Sequence, residues 1–347
     1  MSTRIRLLDA GWDRDLAVEQ FQQSAPENDQ VLVTVEACGV CHRDLLDRSG
    51  RFPFLQTPIT PGHEVVGRIT ALGSGVTQWQ VGDRVGTMHR DACGECDACT
   101  RGDLSLCTSA AWVLGLMVDG GYADSVLVPS AALFSVPETV PAAQGAIMHC
   151  TFGTAYRNMV TVGGLKPGEK VVITGANGGV GAAAVQLANR LGAHVVAIVR
   201  KNGFEEELGA LGAHHVVCAP DNRFHKRPET AGADLVLDCV GAATFNASIR
   251  CLSLGGRLAL VGNIDPSRAE LNLGYVIVHG LRIFSAGGAT PTDMASVFKL
   301  NAAAPFNLPI HDTLPLHQAD AAQRAVRRGG LRGRIVLLPI SGGEHTS

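Results

Sequence analysis

The sequence predicts an α/β protein: a β-rich first third followed by a doubly wound parallel sheet. Three observations lead there. Strand-like alternation punctuated by Gly, Pro and Asp fills the first third. From about Lys170, apolar runs alternate with helix-length segments, as buried parallel strands and their crossover helices do. Between the first such run and the first helix stands a glycine-rich turn, Gly175-Ala176-Asn177-Gly178-Gly179-Val180-Gly181. At 347 residues one core usually divides, so two domains are expected.

In chain order, Val31–Val35, Glu64–Ala71 and Asp83–Thr87 read as strands. Lys170–Thr174 is an apolar strand and Gly179–Leu191 an Ala-rich helix. His194–Val199 is the next strand, Phe204–Leu211 a short helix, and strands follow near His215–Val217 and at Asp234–Cys239. A helix over Thr244–Leu254 is expected to stop at Gly255–Gly256, with Arg257–Val261 as the next strand. Beyond Pro291 the texture changes again. Asp320–Arg328 reads as a helix with an acid at its start and arginines at its end, and Arg334–Leu338 as a last strand. The tail from Ser341 reads as frayed.

Lys and Arg number 29 against 32 Asp and Glu, a net charge of −3, which excludes a general nucleic-acid or polybasic membrane binder. With 46% apolar residues the chain can bury a large core. Met1 to Asp15 lacks an apolar leader core, and no run reaches the roughly 18–20 apolar residues of a spanning helix. The expected compartment is the cytoplasm, with a small-molecule substrate and neither nucleic acid nor membrane as partner. Glycine is abundant, at 41 residues, and serves turns, close packing or ligand approach. Ten cysteines in a reducing compartment argue for metal or catalysis before disulfides.

Cys93, Cys96, Cys99 and Cys107 lie within one short stretch. Four thiolates at this spacing can close a tetrahedral zinc site with no open position, which makes it structural. Disulfides and an iron–sulfur cluster are the competing uses of such a set. The glycine turn, aligned on its end, reads Ala176-x-Gly178-x-x-Gly181. With a strand before and a helix after, it points to a dinucleotide pyrophosphate on a helix N-terminus. Arg200 follows Gly181 by nineteen residues, with Lys201 next, where an NAD-preferring fold places a carboxylate. Two cations favour a 2′-phosphate and hence NADP(H) over NAD(H); the alternative is a solvated strand end.

A third group is dispersed: Cys41 in Cys38-Gly39-Val40-Cys41-His42-Arg43-Asp44, then Gly62-His63-Glu64, then His149-Cys150. Together with the four-cysteine run, the glycine turn, Val236 to Gly241, and Gly256-Arg257-Leu258 with Val261-Gly262, these residues resemble the zinc-containing medium-chain dehydrogenases/reductases, the alcohol dehydrogenase superfamily. The resemblance covers nearly the whole chain. It implies a GroES-like catalytic domain from residues 1–154 and 291–347, with a zinc lobe at about 89–110, and a Rossmann dinucleotide-binding domain from 155–290. It implies a second, catalytic zinc held by Cys41, His63 and Cys150, two zinc ions per chain in all. Glu64 would stand beside that metal, and Asp44 would bond the His63 ring and fix its tautomer. His42 and Arg334 match positions near cofactor phosphates. His89 falls where the family often has an aromatic pocket wall; it could donate a proton near pH 7 or serve only as structure. The apolar Leu271–Ala286 region resembles a subunit-pairing edge, implying a homodimer or homotetramer.

One residue departs from the pattern. Family alcohol dehydrogenases usually carry Ser or Thr two residues after the first Cys ligand, to relay the alcohol proton. Here that residue is Arg43, whose guanidinium cannot be deprotonated in a protein. It could bind cofactor phosphate or an anionic substrate, or pair with a carboxylate. The Cys-x-Arg-Asp pattern, Gly262 to Pro266 and Leu273-Gly274-Tyr275 resemble a branch that includes acryloyl-thioester reductases. The expected activity is zinc-dependent hydride transfer between NADP(H) and an alcohol or carbonyl substrate. The alternative is reduction of an enoyl thioester or enone at C=C. A zinc-free reductase that kept these residues as core, and a non-enzymatic NADPH-binding or zinc-storage protein, complete the readings.

Overall fold

The computed structural model describes residues 1–109, 112–264 and 267–339. The tail from Ser341, Ala110 at the expected lobe end, and Asp265-Pro266 lie outside the described residues.

The chain forms β1 (Ser2–Arg6), β2 (Ala17–Phe21), β3 (Gln30–Val40), α1 (His42–Arg48), β4 (Glu64–Leu72), β5 (Arg84–Thr87), α2 (Asp97–Thr100), β6 (Ser125–Pro129), β7 (Leu133–Ser135) and α3 (Ala142–Met148). Helical π turns at His149–Gly153 and Arg157–Thr161 flank the short α4 (Thr154–Tyr156). Then follow β8 (Lys170–Thr174), α5 (Gly179–Arg190), β9 (His194–Val199), α6 (Glu205–Ala210), β10 (His215–Cys218), β11 (Ala233–Asp238), α7 (Ala242–Cys251), β12 (Leu252–Leu260), α8 (Leu273–His279) and β13 (Arg282–Phe284). The chain closes with α9 (Pro291–Ala303), β14 (Ile310–Pro315), α10 (Ala319–Arg328) and β15 (Arg334–Leu338).

Two compact units result. One comprises residues 1–149, 290–299 and 308–347, the other 150–289 and 300–307. In the first, seven strands form one sheet among the described residues, in the order β14-β15-β3-β4-β5-β7, with β6 also on β3. β3 is its axis because it pairs antiparallel with β15, β4 and β6. Its second half, Ala37 to Val40, is buried at every position, so it shows none of the alternation that marks a half-exposed strand. That is why only Val31–Val35 stands out in the sequence.

The second unit holds a six-stranded sheet, β10-β9-β8-β11-β12-β13, parallel throughout. The strand order reverses after β8, which stands next to β11. In such sheets ligands bind beyond the strands' carboxyl ends at this switch. The core is aliphatic: Val171, Val172, Ile173, Val195, Val196, Leu235, Val236 and Leu237 are all fully buried.

Two expectations need correction. The helix over Thr244–Leu254 ends at Cys251, and Gly255–Gly256 lie inside β12 rather than capping it. Leu252 is already extended and pairs with Ala233, and the register then slips so that Leu235 faces Arg257. Gly255, at φ +73°, supplies the left-handed residue that this irregularity needs. The apolar Leu271–Ala286 region is mostly not strand: Leu273–His279 is helical, and only Arg282–Phe284 joins the sheet. Among the described residues no helix is long and apolar enough to cross a membrane.

Candidate metal and dinucleotide sites

The four-cysteine run folds as a small loop around its own sulfurs. The Sγ pairs Cys93–Cys107, Cys93–Cys99 and Cys96–Cys107 are 3.5, 3.9 and 3.9 Å apart. A tetrahedral zinc with ~2.3 Å bonds sets its sulfurs ~3.8 Å apart, whereas a disulfide needs ~2.05 Å. All four thiols are free. The N–H groups of Cys93 and Cys96 donate to Cys107 Sγ and Cys93 Sγ at 3.3 Å each, as suits thiolate acceptors. Backbone hydrogen bonds pull the Cys96 thiol down to about 5. The set fits a closed, structural metal.

The dispersed group is assembled by local structure. Cys41 is the N-cap of α1, and its box partner is Asp44. Asp44 is 1% exposed. Its Oδ2 accepts from the Cys41 N–H at 2.9 Å and the Tyr122 hydroxyl at 3.0 Å. Its Oδ1 faces His63 Nδ1 at 2.9 Å. That hydrogen bond assigns the ring proton to Nδ1 and leaves Nε2 for a metal. Burial and Arg43 oppose a charge on His63, but the Asp44 carboxylate, through charge and hydrogen bond, prevails and pushes the ring up to about 10. Cys150 follows His149 in one helical run that begins with α3 and packs on β3 and β4.

Donor atoms of Cys41, His63, Glu64 and Cys150 lie within 4.8 Å of one another. Two thiols and an imidazole suit zinc, with a further position for a substrate atom. Glu64 starts β4, and its Oε1 pairs with Arg334 Nη2 at the start of β15. Its Oε2 is buried without a hydrogen bond, and burial raises the carboxyl to about 7 against the opposing pull of Arg334. Arg334 thus offsets the Glu64 carboxylate.

Arg43 is clamped. Its Nε lies 3.1 Å from Asp47 Oδ2 one turn on in α1, and its Nη2 donates to the Leu114 carbonyl at 2.6 Å. Leu114 N–H in turn donates to the His89 carbonyl at 3.0 Å, so Arg43 ties α1 to the segment that carries His89. The His89 ring lies 6.4 Å from that of His63 and 5.7 Å from that of His149, which stacks on Phe134. Burial, then His149 and Arg43, hold His89 well below the usual imidazole range. The shift favours the uncharged ring. His42 is exposed beside Cys41.

In the second unit the glycine turn closes as dinucleotide chemistry requires. Gly175 takes φ +58°, and Gly178 N–H donates to its carbonyl at 2.9 Å. A Cβ on Gly181 would come 2.3 Å from the Gly175 carbonyl oxygen. Gly178 caps α5 without a side-chain hydrogen bond, and the first turn holds no acid. The first turn of α5 therefore has neither a side-chain cap nor a carboxylate competing for its opening N–H groups. Ala176 is buried, Asn177 and Gly178 are exposed, and Gly179 and Val180 are half-buried. Arg200 and Lys201 are exposed just beyond β9.

Sequence reasoning included Asp238 in the Val236 to Gly241 stretch but missed its role as the organiser of this end of the sheet. It is fully buried and accepts from Thr174, Thr244 and Ser248 hydroxyls and from the Val240 and Gly241 N–H groups. Tyr122, described below, was also missed.

Two family profiles match the chain: "Alcohol dehydrogenase GroES-like domain" over residues 27–138 and "Zinc-binding dehydrogenase" over 179–303. An acryloyl-coenzyme A reductase of Sulfurisphaera tokodaii is 31% identical, with 93% of this chain and 96% of the relative aligned. Among solved structures, AibC has 33% identity and a TM-score of 0.91, covering 98% of this chain and 96% of its own. A cobalt- and zinc-bound thermostable alcohol dehydrogenase from Pyrobaculum aerophilum has 28% identity and a TM-score of 0.88, with coverages of 98% and 100%.

If the four cysteines close a structural site, Cys96→Ser should cost one zinc equivalent per chain by elemental analysis. A loss of about 2 kcal/mol would lower the melting midpoint by roughly 4–8 °C for a unit of this size.

Proposed function

The chain belongs to the zinc-binding dehydrogenases of the alcohol dehydrogenase superfamily, and from that premise we propose that it is an NADPH-dependent reductase of α,β-unsaturated carbonyl compounds, enoyl thioesters first among them. The observation that carries this is Arg43. Interconverting an alcohol and a carbonyl requires a dissociable group to carry the hydroxyl proton to water. The guanidinium held by Asp47 and Leu114 cannot lose a proton, so the residue at the usual relay position cannot serve. Reduction at C=C has no alcohol proton to relay. NADPH, when bound, would supply hydride for the β-carbon, and water the proton for the α-carbon, giving NADP⁺ and the saturated product.

Cys41, His63 and Cys150 would hold the second of two zinc ions per chain, with Glu64 beside it. Bound there, zinc supplies Lewis acidity that draws electrons toward the substrate carbonyl. Asp44 orients the His63 ring through Nδ1, so Nε2 is the nitrogen that would take the metal. Gly175 to Gly181 would receive the pyrophosphate at the α5 N-terminus, and Arg200 and Lys201 the 2′-phosphate. Residues 155–290 would be the Rossmann dinucleotide domain, and 1–154 with 291–347 the GroES-like catalytic domain.

A second reading, alcohol–carbonyl interconversion, is favoured by the three-donor cluster itself, which suits a substrate oxygen. Incubation of the zinc-loaded protein with NADPH and either crotonyl- and acryloyl-CoA or an aldehyde panel separates the two. Selective turnover of the thioesters is the expected result; selective turnover of aldehydes would overturn it.

Cofactor choice has its own test. Arg200→Asp should lower kcat/KM for NADPH by roughly 10–100-fold, the worth of one charged hydrogen bond, and raise it for NADH. An unchanged ratio would remove Arg200 from the cofactor site.

We further infer a homo-oligomer, dimer or tetramer. β13 is a free edge of the six-stranded sheet, and the preceding α8 exposes Leu273, Ile277 and Val278 at 66, 78 and 76%. Sedimentation should show the wild type as an oligomer and Ile277→Glu shifted toward monomer; a monomeric wild type would contradict it.

A further inference from the structure

We propose that Tyr122 is the positioning residue for the His63–Asp44 pair, acting from both sides of the His63 peptide. The proposal rests on the reading of Cys41, His63 and Cys150 as metal ligands. Two separate contacts carry it. The Tyr122 hydroxyl donates to Asp44 Oδ2 at 3.0 Å, on the carboxylate whose other oxygen faces His63 Nδ1. The Tyr122 ring packs against the residue before His63: a Cβ on Gly62 would meet Tyr122 Cδ1 at 2.3 Å. Gly62 has φ +96°, so both its backbone conformation and its contact with this ring exclude a side chain.

The two segments are also zipped together by the backbone. Gly120 N–H donates to the Thr60 carbonyl, Gly121 N–H to that of Gly62 and Tyr122 N–H to that of Pro61, at 2.7, 2.9 and 2.9 Å. Tyr122 therefore fixes where the backbone enters His63 and where the carboxylate that orients its ring stands.

Behind Tyr122 the support continues through buried side chains. Gln323 lies against the phenol, although its Nε2 makes no aligned hydrogen bond. Its Oε1 accepts from Arg48 Nη1 at 3.2 Å. Arg48, 1% exposed, also pairs with Asp320 at 2.7 Å and stacks on Trp12. Tyr122, Asp44, Gln323 and Arg48 are all essentially sealed from water, so no solvent molecule can take over the phenol's hydrogen bond at little cost. Phenylalanine would keep the ring against Gly62 and remove only the donor to Asp44. The hydroxyl and the ring are thus separable by experiment.

The test uses the full-length protein loaded with cobalt. Metal release to a chromophoric chelator and the visible ligand-field bands are recorded for the wild type, Tyr122→Phe, Asp44→Asn and the double variant, with melting curves confirming that each is folded. The phase belonging to Cys41, His63 and Cys150 is assigned by its loss in Cys41→Ser. Tyr122→Phe should speed that phase by roughly tenfold, the lower end for partners that orient a ligand. It should shift the bands and leave release from the four-cysteine lobe unchanged. In the Asp44→Asn background it should add little, because both act on one ring. Unchanged release and bands, or equal acceleration of both phases, would overturn the proposal. So would full additivity in the double variant. A wild type that takes up only the lobe metal would overturn the ligand reading beneath it, an outcome distinct from the others.

Discussion

The first unit depends on one buried carboxylate. Asp44 receives the N–H of Cys41, the phenol of Tyr122 and the imidazole of His63, from three stretches far apart in sequence. An aspartate 1% exposed is costly unless each lone pair is used. Here its use converts the cost into geometry. The carboxylate starts α1, so Cys41 stands at that helix's cap, and it turns the His63 ring so that Nε2 faces the same region. Asp44 thus bears directly on two members of the cluster, Cys41 and His63.

Charge balance around this centre explains the neighbouring residues. Glu64 is offset by Arg334, and Arg43 by Asp47 and a carbonyl. Asp47 pays a desolvation penalty for its place: burial pushes it up to about 7 in spite of Arg43. Arg43 thus pairs with a carboxylate, one of the uses expected of it. In the second unit Asp238 plays the matching part. It gathers three hydroxyls and two N–H groups where β11 ends, next to the strand that opens the glycine turn. Each unit thus spends one sealed aspartate on fixing the loops that carry its chemistry.

How much of this was legible in the sequence follows from how local each feature is. The four-cysteine lobe needs only one loop, and the glycine turn only a strand and a helix, so spacing alone revealed both. The Cys41, His63, Cys150 group is spread over more than a hundred residues and emerged only through family resemblance. β1, β2 and β14 were not read because their charged and half-exposed residues give weak alternation. The α7–β12 boundary was misread because Gly255–Gly256 mimic a helix stop, while the sheet pairing of Leu252 decides the matter. Tyr122 carries no motif, and Asp238 lies in the Val236 to Gly241 stretch without any signal of its role. Their importance lies in partners that only folding brings near, as with the Tyr122 ring on Gly62.

The central claim is that Cys41, His63 and Cys150 form an open metal site organised by Asp44. Crystals of the zinc-loaded protein, with anomalous data collected across the zinc edge, test it most directly. The account predicts two peaks per chain: one among the four cysteines of the lobe, and one bonded to Cys41 Sγ, His63 Nε2 and Cys150 Sγ while Asp44 holds His63 Nδ1. A single peak in the lobe, with the Cys41 and Cys150 thiols metal-free in fully loaded protein, would contradict it.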